Sequence, residues 1–294
     1  MEIAKGSFSA LAVLILLGQA LVLATFDSDT ACSWGQDNCQ ISRDNKLTLI
    51  LNQWSGAGVK GTKEFLFGYI NMRIKLVPDD SAAVVTTYYT SSLWVSEEND
   101  IHDEIDFEFL GNVTGEPYTI HTNIFVNGVG KREEQFKPWF NPTSDYHTYT
   151  IFWNPYMIVW SIDGMVLRVF KNNEDKGIPF PKTKPMTVYS TIWNADDWAC
   201  QGGRVKTNWT YQPFIARYMD YKDSVCLWTG THSIQDCSAE IPQNWYTAPQ
   251  FKQLTQVQID SMKYIRSNYM IYDYCSDTER YNGTMPKECS LRPY

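Results

Sequence analysis

Over much of the chain, apolar and polar residues alternate in short runs, the period of half-buried strands. Runs rich in β-branched and aromatic residues cover Lys46–Leu51, Gly68–Leu76, Val84–Tyr89, Glu104–Phe109, Tyr118–Phe125 and Tyr146–Trp153. Met157–Ile162 and Met165–Phe170 flank Asp163-Gly164, a pair suited to the positive φ angles of a two-residue hairpin turn. Gly, Pro and Asn separate the runs, with no internal repeat and no low-complexity linker. This pattern predicts an all-β sandwich. A helical period emerges only late. Leu254, Val257, Met262, Ile265 and Tyr269 recur at roughly helical spacing, and Thr255 with Gln258 resembles a capping box. They predict one helix over Thr255 to Asn268, inside a Cys-rich tail.

The N-terminus departs from this pattern. Lys5 precedes an almost wholly apolar stretch from Leu11 to Leu23, with small residues at Ala20 and Ala24. The run is about 13 residues, short of the ~20 that a membrane span needs. It predicts a secretory signal peptide over residues 1–24. The expected division of the rest is a β-sandwich over 25–215 and a disulfide-stapled extension over 216–294.

Charge removes two classes of partner. Of 294 residues, 25 are Lys or Arg and 33 are Asp or Glu, a formal net charge of −8. Binding to nucleic acid or to an anionic membrane surface needs a basic face, and none is visible. Aromatic residues make up 15%, with 11 Trp and 18 Tyr, enough to fill a core and also line a groove that stacks on sugar rings.

The seven cysteines, Cys32, Cys39, Cys200, Cys226, Cys237, Cys275 and Cys289, form no C-x-x-C pair, and His102, His121, His147 and His232 are scattered. Zinc is therefore not expected, and disulfides suit an exported chain. Asn112, Asn208 and Asn282 each head an N-x-Thr sequon; Pro blocks the one at Asn141. Gly56-Ala-Gly58-Val-Lys-Gly61 fits G-x-G-x-x-G, but a nucleotide site needs a helix next, and the following residues read as a strand.

The chemically informative run is His102-Asp103-Glu104-Ile105-Asp106-Phe107-Glu108-Phe109. On a strand Ile105, Phe107 and Phe109 share one face; His102, Glu104, Asp106 and Glu108 share the other. Three carboxylates in a row raise one another's pKa, an arrangement with a cost. A retaining glycosidase uses such a cluster, one carboxylate as nucleophile and one carboxylic acid as proton donor, about 5–5.5 Å apart. The Cα atoms of Glu104 and Glu108 lie roughly 13 Å apart on an extended strand, a gap that two inward-leaning side chains can close. Asp106 between them can hold the two pKa values apart. From spacing alone, a calcium-type oxygen site and a solvated acidic face remain open alternatives.

The run 102–111, completed by Leu110 and Gly111, resembles the signature of plant xyloglucan endotransglucosylase/hydrolases of glycoside hydrolase family 16. The Asn112 sequon continues the resemblance, as do Trp193-Asn-Ala-Asp-Asp-Trp198 with Gly202-Gly203, and Tyr272-Asp-Tyr-Cys275 through Arg280-Tyr281 and Cys289. It covers the chain from about Trp34 to Cys289. It implies a curved β-jelly-roll with an open cleft, no cofactor, and a xyloglucan or related β-glucan as donor and acceptor. It implies Glu104 as nucleophile, Asp106 as helper and Glu108 as acid/base. Sugar contacts fall on His121, Thr122, Asn123, Lys131, Arg132, Glu133, Asp197, Trp198, Gly202 and Arg280. Implied disulfides are Cys226–Cys237 and Cys275–Cys289. The spacing of Cys32 and Cys39 permits a further small loop, which leaves Cys200 as a free thiol. The family usually has Gln where His121 stands and Asp where Lys131 stands, so the preferred glucan is left open. The segment Asn127 to Gln135 lacks the insertion that mainly hydrolytic members carry, which favours transfer. The expectation is a monomeric enzyme secreted to the plant cell wall or apoplast. A hydrolytic glucanase and a non-catalytic polysaccharide-binding protein are the competing readings.

Overall fold

A computed structural model describes residues 24–92 and 101–291. The expected signal peptide, apart from Ala24, lies outside the described residues. In chain order the strands are β1 (Thr30–Trp34), β2 (Cys39–Ser42), β3 (Lys46–Leu51), β4 (Ala57–Gly61), β5 (Phe65–Lys75), β6 (Val84–Ser91), β7 (Glu104–Leu110) and β8 (Thr119–Phe125). They continue with β9 (Glu134–Phe136), β10 (His147–Trp153), β11 (Met157–Ile162), β12 (Met165–Lys171), β13 (Thr187–Asn194), β14 (Phe214–Leu227) and β15 (Met270–Asp273). Two antiparallel sheets result, in the orders β1-β4-β13-β6-β7-β8-β9-β15 and β12-β11-β10-β5-β14-β3-β2. The expected jelly-roll sandwich is thus the observed fold, and the predicted hairpin closes through Asp163 (φ 50°) and Gly164 (φ 79°).

The core lies between the sheets. Ile105, Phe107 and Phe109 of β7 point into it, and Tyr149 of β10 meets the rings of Phe107 and Phe109 at 5.7 and 4.7 Å between centroids. Two side chains pair their polar atoms with carbonyls of the opposite sheet, as burial favours. Tyr88 Oη donates to the Ile70 carbonyl at 2.8 Å, and Trp160 Nε1 donates to the carbonyl of Asp106 at 2.9 Å. The second bond ties the acidic strand directly to the opposite sheet.

Arg168 of β12 is buried at 1% exposure. Its guanidinium donates to the carbonyl of Thr122 (2.9 Å), to Thr122 Oγ1 (2.8 Å) and to the carbonyl of Arg132 (2.5 Å), and lies 4.9 Å from the centroid of the Trp160 ring. It also faces Glu134 at 3.8 Å. Arg168→Met strands two carbonyls and leaves buried Glu134 with Arg266 as its remaining cationic partner. The expected loss is about 3–5 kcal/mol of unfolding free energy, read by urea titration.

The helix Gln256–Tyr269 begins with the anticipated capping box at Thr255 and Gln258. Met262 packs with Met157, Val159, Val166 and Val169 on the outer side of β11 and β12. Val257, expected on the apolar face, is instead 66% exposed. β14 runs through the division expected after residue 215, so the sandwich continues to Leu227 before the stapled tail begins. That tail returns to the first sheet, where β15 pairs with β9. Disulfides join Cys32–Cys39, Cys226–Cys237 and Cys275–Cys289, and Cys200 is free and buried.

Candidate active site

The outer face of β7 carries Glu104, Asp106 and Glu108, each fixed by its register. Glu104 lies between Ser91 and Phe125, Asp106 between Tyr89 and Asn123, and Glu108 between Thr87 and His121. Glu104 and Glu108 are half-buried and Asp106 is buried. His102 Nε2 and His121 Nε2 stand 4.0 Å from Oε2 of Glu104 and Glu108, respectively. Tyr89 stacks on Tyr189 at 5.1 Å beside Asp106, extending the face toward β13.

Burial sets different protonation at the three acids. Asp106 is pushed well above the carboxylate range by burial and then by the flanking Glu104 and Glu108 charges, so it keeps its proton. Burial also raises Glu104 on balance, while hydrogen bonds from Ser91 and Asp106 and the nearby His102 offset part of the rise. Glu108 is raised to about 7 by burial, then by Glu104 and Glu133. A protonated Asp106 can donate to Glu104 and favour its anion, while Glu108 retains a proton near neutrality. One face therefore holds both a candidate nucleophile and a candidate acid. Among the described residues no group of three or more His, Cys, Asp or Glu is arranged to hold a metal ion.

Two descriptions of known families match the chain: Glycosyl hydrolases family 16 over residues 26–211, and Xyloglucan endo-transglycosylase (XET) C-terminus over residues 240–289. A probable xyloglucan endotransglucosylase/hydrolase protein 12 of Arabidopsis thaliana is 45% identical over 286 residues, 95% of this chain and 94% of that protein. Xyloglucan endotransglucosylase protein 1 of Diospyros kaki is 43% identical, covering 97% of this chain and 96% of its own. The chain belongs to the xyloglucan endotransglucosylase/hydrolases of glycosyl hydrolase family 16. Solved structures share the family fold at lower identity. The apo Crh5 transglycosylase superposes with a TM-score of 0.54 at 24% identity, over 71% of this chain and 82% of its own. The Bacillus licheniformis β-glucanase does so at 0.51 and 23%, over 66% and 85%.

Several residues expected to touch sugar gather beside the acids of this family-16 sheet. His121 lies edge-on to Trp198 at 6.4 Å, and Trp198 is 40% exposed. Burial lowers the His121 pKa to about 4, so the ring is neutral. The Gln135 amide Nε2 is 3.1 Å from Nδ1. An amide nitrogen donates, so Nδ1 accepts and Nε2 carries the proton that faces Glu108. A neutral His121 thus offers an uncharged donor, as the family's usual Gln does. Arg280 forms a two-pronged pair with Glu133 at 2.6 and 2.9 Å and also donates to Tyr272 Oη at 3.1 Å. Burial raises the Glu133 pKa, but the bonds to Arg280 outweigh it and the net shift is downward. Lys131 is exposed, and its carbonyl accepts from Tyr281 Oη.

Others sit elsewhere. Thr122 alternates to the inner face, fully buried, with its hydroxyl held by Arg168; it is turned away from the cleft. The Arg132 guanidinium is buried against Glu288 (2.6 Å) and the carbonyls of Val129 and Gly130, so it braces the strand connection instead of presenting charge to a sugar. Asn123 Oδ1 accepts from the Arg132 amide at 3.0 Å, which ties that connection to the row of Asp106. Asp197 is exposed; Gly202 (φ 67°) has open space around it. At Gly203 (φ 84°) a Cβ would collide with the Asp197 carbonyl, so this glycine lets the Trp198 loop close. Sequence reasoning missed Tyr89, Tyr189 and Gln135, whose place beside the acids follows from register with distant strands.

Proposed function

We propose that the chain is a xyloglucan endotransglucosylase acting by retaining double displacement. The observation that carries this is the outer face of β7, with Glu108 raised to about 7, Asp106 raised well above the carboxylate range, and Glu104 held by hydrogen bonds from Ser91 and Asp106 that limit the rise burial causes. Glu104 attacks the anomeric carbon of a backbone glucosyl unit while Glu108 gives its proton to the departing oxygen. The glycosidic bond breaks and a glycosyl ester on Glu104 forms. Glu108 then takes the proton from the hydroxyl of a second glucan chain, whose oxygen displaces Glu104. Water in place of that hydroxyl gives hydrolysis.

Family membership and the names of the relatives support xyloglucan as donor. His121, Asn123, Glu133, Trp198 and Arg280 supply the sugar contacts in this reading, with Lys131, Asp197 and Gly202 at the rim. Transfer is favoured by the short connection after β8, where Asn127 and Gly128 turn between the bridged Val126 and Val129. Export to the plant cell wall fits the N-terminal run, the disulfides and the plant relatives. Asn208 and Asn282, both exposed, and half-buried Asn112 are the proposed glycan acceptors.

Secreted protein incubated with high-mass xyloglucan and labelled xyloglucan oligosaccharide is expected to move label into polymer, with few new reducing ends. Reducing ends that rise regardless of acceptor would make it a hydrolase. Absence of both changes on xyloglucan, with turnover of cellulose or mixed-linkage glucan, would change the donor.

A further inference from the structure

Trp34 takes no part in the chemistry above. It ends β1, the outermost strand of the sheet that carries the acids, and pairs with Gly58 of β4. Gly58 lies opposite Thr191 of β13, whose hydroxyl is 2.7 Å from that of Thr87, and Thr87 lies opposite Glu108. The intervening Ala57, Val59 and Ile192 are core residues, which fixes Gly58 and Thr191 on the outer face. A single row of outward positions therefore leads from Trp34 to the acid. With neighbouring strands ~4.8 Å apart, Gly58 is about 14 Å from Glu108 across the sheet. That is the span of a short stretch of sugar chain laid across the strands.

The seat of this side chain is specific. A Cβ on Gly58 would drive into the pyrrole edge of the Trp34 indole, and one on Gly56 would come within 3.1 Å of its Cη2. The ring rests on glycine backbone, yet the residue is 39% exposed, almost the same as Trp198 at 40%. Trp153 and Trp160, by contrast, are fully buried in the core. The G-x-G-x-x-G run, useless for a nucleotide because β4 and β5 are strands, has a use here: its central glycine, Gly58, makes room for an indole.

We infer that Trp34 is a distal sugar platform of the cleft, stacking a glucosyl ring of the polysaccharide several residues from the scissile bond. This rests on the β-glucan reading above. An aromatic face suits the apolar side of a pyranose ring. A contact so far from the reacting atoms is made equally in ground and transition states, so it acts on KM and leaves kcat unchanged.

Trp34→Ala is expected to raise KM for polymeric xyloglucan roughly three- to tenfold at constant kcat, the scale of one aromatic contact. KM for an oligosaccharide too short to reach β1 from Glu108 stays unchanged. Trp34→Phe restores most of the affinity, whereas Gly58→Ala, which keeps the indole but lifts it off the strand, repeats the loss. Equal losses on short and long donors, or none on long ones, overturn the platform. Retention in gels holding xyloglucan, mixed-linkage glucan or a soluble cellulose derivative, measured in a Glu104→Gln background, reads binding without turnover. Weaker retention for Trp34→Ala, rescued by Phe, supports the platform; equal retention overturns it. Normal wild-type turnover with an unaltered Trp34→Ala removes the platform alone. A wild type that neither turns over nor is retained by any glucan removes both readings.

Discussion

Glu104→Ala is expected to abolish transfer and hydrolysis together, by a factor on the order of 10⁴–10⁶, the scale seen when a covalent nucleophile is deleted. Both outcomes share the glycosyl-enzyme, so neither survives its loss. The structure explains why Glu104 is suited to the role. Burial raises its pKa on balance, but Ser91, His102 and Asp106 all act to limit the rise. Asp106 can donate because burial and its two charged neighbours keep it protonated. Asp106→Asn, which still donates through its amide, should therefore retain far more activity than Asp106→Ala. Rates with labelled acceptor, beside circular dichroism to confirm folding, decide this. Full activity in Glu104→Ala would dismiss the assignment.

The strand that carries the three acids could be read from sequence because its pattern is local. Strict alternation placed Ile105, Phe107 and Phe109 inside and the acids outside, as found. Strands with long apolar runs, β3 and β11 among them, were legible to the residue. β1, β2, β4, β9, β13, β14 and β15 were not. Five of them are three to five residues long, Gly-rich or polar, with little local signal, whereas β13 and β14 are long strands whose hydrogen bonds come from partners far away in sequence. The same distance hides who faces the acids. Alternation assigns His121 and Asn123 to one face and Thr122 to the other, so a consecutive motif cannot line a cleft as a unit. Arg132 shows a second limit: its partner, Glu288, is 156 residues away. The Glu133–Arg280 pair joins the tail to the sheet beside the acid and was foreseen only as separate sugar contacts.

The pH profile should be a bell whose basic limb belongs to Glu108. Its pKa, about 7, means that the proton needed by the departing oxygen is present below that pH and lost above it. The expected fall in kcat/KM is about tenfold for each pH unit beyond 7. The acid limb follows Glu104, which must be ionised, so protonating it removes activity as pH falls. Glu133 tunes the upper limb. Its charge is one of three influences holding the Glu108 proton, after burial and Glu104. Arg280 keeps Glu133 ionised through the working range, so that influence is constant. Glu133→Gln removes the charge and should shift the basic limb to lower pH while leaving a profile of the same shape. Glu108→Gln, lacking any proton to give or take, should lose on the order of 10²–10⁴-fold and flatten the basic limb altogether. A Glu133→Gln profile superimposable on wild type would show that Glu133 acts on sugar alone. A basic limb that persists in Glu108→Gln would assign the titrating acid to another residue.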